Sequence, residues 1–229
     1  MDRSPSTLRK EIADRLASFQ ENLPRALDPI ALSSSKLPFK ALDYRETLIW
    51  RVTELAQSAL ETLDQERFAS AMLLTRAVVE TVAALWYLSK KVGFAVDNDK
   101  LGDIDDYLMK LSLGHRKDDE FPQAINVTTF VDHVDKEIPG FRRQYDELSE
   151  YAHPNYLGTT GLYSHRDHQA FTISYGEKRG AKTAALSIGI TNLSVALMLF
   201  EHTYNKLGGL MPAFITLCEK SSVGLPSSD

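Results

Sequence analysis

Ala69–Leu88 reads ASAMLLTRAVVETVAALWYL, and this stretch decides the fold. Apolar residues lie all round a helical projection of these positions instead of on one stripe, and a helix of that kind belongs at the centre of a protein. Arg76 and Glu80 are its only charges. A spacing of four places them one turn apart on the same face, where they can pair. An ionised group buried alone is destabilising by several kcal/mol, so the two are expected to meet each other or another polar group inside a bundle.

Outward from this helix, Asp64 reads as its N-cap, and Lys90, Lys91 and Gly93 read as its C-terminal end. Upstream, Leu8, Ile12, Leu16, Phe19 and Leu23 share one face of a first helix that stops before Pro24. After a connector from Asp28 to Lys40, Leu48, Val52, Leu55, Ala59 and Leu63 mark a second. Downstream, Leu101, Ile104, Leu108 and Leu111 predict a short helix closed by Gly114. Phe130, Val134 and Ile138 predict another, stopped by Pro139 and Gly140, and Phe141, Tyr145, Leu148 and Ala152 predict a third. That third helix ends because Pro154 excludes His153 from helical backbone angles. Between Gly158 and Gly180 the period becomes two. Phe171, Ile173 and Tyr175 alternate with smaller or polar residues, which predicts a hairpin at 160–176 with one buried face. A long helix from Ala181 to Lys206 follows, stopped by Gly208 and Gly209, and Pro212 opens a short last one. The expectation is a mainly α fold, a bundle of six to eight helices with one small β-hairpin. Its organisation is an N-terminal helix and linker at 1–40, the bundle at 41–222 and a disordered tail at 223–229.

Composition narrows the function classes. The 229 residues are 43% hydrophobic and 25% charged, too apolar for a disordered chain. Against 31 acidic residues stand 26 Lys and Arg, and the net charge of −5 gives nucleic-acid binding no support. From Gly140 to Gly180 the bases Arg142, Arg143, Arg166, Lys178 and Arg179 are cancelled by Asp146, Glu147, Glu150, Asp167 and Glu177. Cys218 is the single cysteine, and Met1 to Lys10 has no apolar signal core, so a cytoplasmic protein is expected. Thr183–Phe200 is uncharged and nears the length of a membrane span. Its Ser187, Gly189, Thr191, Asn192 and Ser194 favour a buried helix, and no membrane partner is expected. Nucleophile-elbow, Walker and dinucleotide glycine motifs are absent, and no cofactor is expected.

Two clusters carry candidate chemistry. The first is Arg76 with Glu80. The second is the run from Tyr145 through Ser149, Tyr151 and His153 to Asn155, which brings hydroxyls and an imidazole to one helix end. The carbonyl end of a helix favours the imidazolium form, which makes His153 the best candidate for proton transfer. Together they suggest a polar pocket of Arg76, Glu80, Tyr151 and His153, with Tyr145, Ser149, Asn155, His165 and His168 as secondary candidates. His165 and His168 read as a solvated turn, since no third metal ligand is fixed in sequence, and no metal is expected. Asp132, His133, Asp135 and Glu137 read as a solvated helix face, and Trp50, Trp86 and Tyr87 as core aromatics.

The apolar helix with Arg76-x-x-x-Glu80, then Tyr145-x-x-Leu148-Ser149-x-x-x-His153-Pro154 and a small β-insertion, resembles the HEPN-like helical families of prokaryotes over roughly Asp43 to Lys206. The resemblance implies a helical bundle in a defence or stress context of the phage-defence and toxin–antitoxin kind. Two long apolar helices in so small a chain leave a face for a second copy, so a homodimer is expected. HEPN ribonucleases carry Arg, four to six residues, then His. No Arg and His here have that spacing: nine residues separate Arg143 from His153. The leading expectation is therefore a binding or accessory protein whose Arg76 holds an anionic group of a small molecule or RNA. A ribonuclease with a composite Arg76 and His153 site, and a structural interaction module without a pocket, are the alternatives.

Overall fold

The computed structural model describes residues 4–176 and 179–223. In chain order these form α1 (Pro5–Glu21), α2 (Pro29–Leu32), α3 (Lys36–Asp64), α4 (Phe68–Asp97), α5 (Ile104–Leu113), α6 (Val127–Asp135), α7 (Phe141–Ala152), α8 (Thr160–Tyr163), β1 (Ser164–Asp167), β2 (Thr172–Tyr175) and α9 (Arg179–Val223). The fold is mainly α, a helical bundle with one small antiparallel hairpin, as the periodicity predicts. The expected fraying at Gly224–Asp229 lies outside the described residues.

The apolar stretch is central. The α4–α9 pairing is the largest helix contact, α3 packs on both, and α6 and α7 lie against α4. Met72, Val78, Val82, Leu85 and Leu88 of α4 and Ile190, Leu193, Leu197 and Phe200 of α9 are buried in one core. Ile12, Leu16 and Phe19 bring α1 into that core, and the Phe19 and Phe200 rings lie 5.8 Å apart. Both α4 and α9 are long and apolar enough to cross a membrane, and more than half of each apolar window is buried within the protein.

Helix ends differ from the sequence reading where packing overrides local signals. Helix α3 already begins at Lys36, capped by Ser35, and Pro38 sits in its first turn, where a missing N–H has no intrahelical acceptor to lose. Asp64 is the last residue of α3, not the cap of α4. Helix α4 starts at Phe68 without a side-chain cap and runs through Gly93 to Asp97, where Leu210 of α9 packs on the Gly93 position. Helix α9 likewise continues through Gly208, Gly209 and Pro212, because Leu207, Met211, Phe214 and Leu217 remain core residues beyond the break. The Pro212 ring opposes the carbonyl of residue 208, and the two glycines give the backbone room to adjust there.

The hairpin pairs Ser164 with Tyr175 and Asp167 with Thr172. Leu162 and Tyr163, expected in its first strand, belong instead to α8. Its predicted buried face is not covered by the described residues: β2 is exposed at every position, Tyr175 at 83%, and Phe171 just before it is 94% exposed. Among the described residues no other element packs closely on β2, and α8 adjoins β1. Trp50 is likewise no core residue. It is 42% exposed, with its indole N–H donating to the Pro24 carbonyl at 3.0 Å and Arg25 over its ring. Trp86 and Tyr87 are buried as expected.

Candidate functional site

Helix α4 sets Arg76 and Glu80 one turn apart, and α7 delivers Tyr145 to both. Arg76 donates from Nε to Glu80 Oε1 at 3.1 Å and from Nη2 to the Tyr145 hydroxyl at 2.8 Å. The hydroxyl in turn donates to Glu80 Oε1 at 3.1 Å, closing a three-membered ring of charge-assisted bonds. The guanidinium carbon lies 5.0 Å from the Tyr145 ring centre, within reach of a cation–π contact. Tyr145 is buried, while the Arg76 and Glu80 side chains are 25% and 26% exposed, so the pair sits at the rim of the core and meets water.

The start of α7 is fixed by its own device. Gly140 adopts φ 98°, a left-handed conformation that strains a residue with a Cβ. Asp135 Oδ1 accepts the N–H of Gly140 at 2.9 Å and of Arg142 at 3.0 Å. Asp135 thus caps the helix that carries Tyr145. Asp132 pairs with Arg142 at 2.5 Å, and Glu137 pairs with Lys90 of α4. The run read as a solvated face therefore ties α6 to α7 and α4.

Glu80 also reaches a groove of about 580 Å³ between α3, α4 and α6, which Arg51, Thr81 and Tyr44 line. Arg51 Nε donates to Thr81 Oγ1 at 3.2 Å. Burial pushes the Tyr44 phenol up to about 12, with Arg51 opposing, so its hydroxyl keeps its proton and can donate.

Among the described residues no hydrogen bond or ion pair joins the other candidates to Arg76. His153 is exposed, and its backbone N–H donates to Ser149 O at 3.1 Å as the end of α7. Eight residues beyond Tyr145, it stands about 12 Å further along the helix axis. Tyr151 is buried, and burial followed by Glu147 raises its phenol above the ordinary value. Ser149 Oγ donates back to the Tyr145 carbonyl at 2.8 Å and serves its own helix. Asn155 donates to Glu150 at 2.6 Å and accepts from the Gly158 N–H at 3.3 Å, which shapes the loop after α7. His165 and His168 are exposed, in β1 and in the hairpin turn. There Asp167 accepts the N–H groups of Ala170 and Gln169, and those bonds hold its carboxyl below the usual value. Among the described residues no group of three or more His, Cys, Asp or Glu is arranged to hold a metal ion.

Sequence reasoning missed two further clusters. Arg45 and Glu46 of α3 pair with each other, Glu46 accepts from the Tyr204 hydroxyl, and Arg45 donates to the Tyr204 carbonyl at 3.1 Å while lying 3.4 Å from its ring centre. Adjacent residues on a helix point apart, so no spacing rule flags this pair. The second joins Tyr87 and Lys91 of α4 to Tyr107 of α5 and His133 of α6. Its signal was the four-residue spacing of Tyr87 and Lys91; the partners on α5 and α6 had none.

Fold and site define a helical bundle with an arginine–glutamate pair at the rim of its central helix, closed by a buried tyrosine of α7. Compared with protein-family models, with curated proteins and with solved structures, the chain matches none.

Proposed function

We propose that this chain is a HEPN-like helical protein of the cytoplasm that acts by binding, as an accessory in a prokaryotic defence or stress response, with Arg76 as its anion contact. One observation carries the reading. Arg76 is held at Nε and Nη2 by Glu80 and Tyr145 yet its side chain stays 25% exposed, so a guanidinium fixed at two nitrogens still meets water. A guanidinium oriented in advance loses little freedom on meeting a phosphate or carboxylate, and Arg suits both by geometry. Glu80 and Tyr145 are positioning residues in this reading, and the adjoining groove lies where the rest of a ligand would sit.

The composite nuclease is the weaker reading, because His153 stands apart from Arg76 along α7. Labelled transfer RNA is expected to stay intact with or without divalent metal. For binding, the arginine Nε–Hε signals of the full chain are followed by NMR during titration with inorganic phosphate and with a short single-stranded RNA. The signal that disappears in Arg76→Lys should move saturably with one of these probes, and His153→Ala should leave that response intact. A stationary Arg76 signal with both probes withdraws the reading.

A homodimer is part of the proposal. The exposed apolar side chains of Phe171, Ile173 and Tyr175 on the hairpin support it, since burying them against a second copy removes a large aromatic patch from water.

A further inference from the structure

A second cavity of about 580 Å³ opens between the C-terminal half of α4, the start of α5 and His133 of α6. The Lys91 ammonium lies inside it, 3.5 Å from the centre of the Tyr107 ring and 5.2 Å from that of Tyr87. His133 stands edge-on to Tyr87 at 5.0 Å. No carboxylate of the described residues forms an ion pair with Lys91; the groups that act on it are the two tyrosines. Burial works against the ammonium, and its interactions with Tyr107 and Tyr87 outweigh that and hold it above the ordinary lysine value. Among the described residues Lys91 is therefore a partly buried cation with no carboxylate paired to it.

The charge of the lining points the same way. Lys90, Lys91 and Lys100 face a single carboxylate, Asp103, in a chain whose net charge is −5. Lys90 is itself paired with Glu137 and Lys100 is exposed, which leaves Lys91 as the partly buried cation for an incoming anion. Much of the rest of the wall is apolar, with Asn98 and His133 as its uncharged polar members. Phe94 and Leu101 belong to it, and Phe94 is 69% exposed although it is a large aromatic on the central helix. A site of this volume, mostly apolar with a few convergent polar groups, has the proportions of a small-molecule pocket.

We infer that this cavity binds a small amphipathic anion, with a phosphate or carboxylate head on Lys91 between the Tyr87 and Tyr107 hydroxyls and a flat apolar body against Phe94 and Leu101. The inference does not rest on the Arg76 reading, since no residue is shared between the two sites. Burial, then Lys136 and Lys91, lower the His133 pKa, so its imidazole is neutral at pH 7 and can donate one hydrogen bond to such a head.

Isothermal titration calorimetry of the full chain tests it, with phenyl phosphate and benzoate as probes and benzyl alcohol as the uncharged control. At least one anion should bind one-to-one, and whichever binds more tightly identifies the head. Lys91→Met should weaken that binding at least about tenfold, and Lys91→Arg should retain it. Three results overturn the inference: no saturable binding of either anion up to about 10 mM, benzyl alcohol binding as well as the anions, or wild-type affinity in a folded Lys91→Met. If Lys91→Met does not fold, acetylation of Lys91 in the wild-type chain is read by mass spectrometry with and without phenyl phosphate or benzoate. Protection by either anion supports the site, and equal labelling refutes it.

Discussion

Tyr145 is the hinge of the cluster, because its hydroxyl accepts from Arg76 and donates to Glu80 while the ring is buried. Tyr145→Phe keeps the packing and removes both bonds. The expected loss is about 1 kcal/mol in urea denaturation, near the low end for a broken charge-assisted bond because water reaches the quarter-exposed partners. His133 sets a pH dependence. Its folded pKa lies below the unfolded value of 6.5, first because of burial and then through Lys136 and Lys91, with Asp132 and Glu137 opposing. Between the two pKa values the unfolded chain binds the extra proton, so the stability His133 contributes is present above 6.5 and is lost as the pH falls through its folded value. Urea melts at about pH 7.5 and about pH 5.5 should show a steeper decline for the wild type than for His133→Gln. The sequence marked Arg76 with Glu80 because a spacing of four residues is readable along a helix, and it held Tyr145 as a secondary candidate behind Tyr151 and His153. Which residue of α7 meets Arg76 had no such signal, because which end of α7 faces α4 is a matter of docking.

Helices α5 and α7 end close to where the sequence places them, at Gly114 and at His153 before Pro154. Helices α4 and α9 do not, because glycine and proline act as breakers only when no tertiary contact holds the continuation. At Gly208, a Cβ would meet Arg45 Nη2 at 3.0 Å, so the glycine makes room for the cluster that locks α3 to α9. Gly189 has a similar role in the core. A Cβ there would lie 2.7 Å from Leu63 Cδ2 and 3.3 Å from Met72 Cε, so α9 approaches α3 and α4 closely at that point. Leu63 and Met72 are fully buried and have little free space to yield. Gly189→Val should therefore be destabilising by about 1–3 kcal/mol despite the gain of a side chain, read as a lowered melting temperature.

Among the described residues an apolar group stands uncovered at the hairpin, where Phe171, Ile173 and Tyr175 are exposed and the bundle does not pack on the strands. If a second copy covers them, light scattering should give the mass of two chains, and Phe171→Ser with Tyr175→Ser should give the mass of one with an unchanged melting temperature. A wild-type monomer at working concentration removes the homodimer. The period-two pattern of 171–175 was legible as a strand, but alternation reports only that one face is apolar, and that face, expected to be buried, is exposed. The amino-acid order by itself determined the helical class, the central place of Ala69–Leu88 and the pairing of Arg76 with Glu80, because these follow from periodicities of a few residues. Only the tertiary structure decided that Tyr145, not His153, completes the cluster, that α9 runs unbroken, and that Lys91, Tyr107 and His133 share a cavity. Those outcomes depend on packing between segments far apart in the chain, for which local spacing carries no signal.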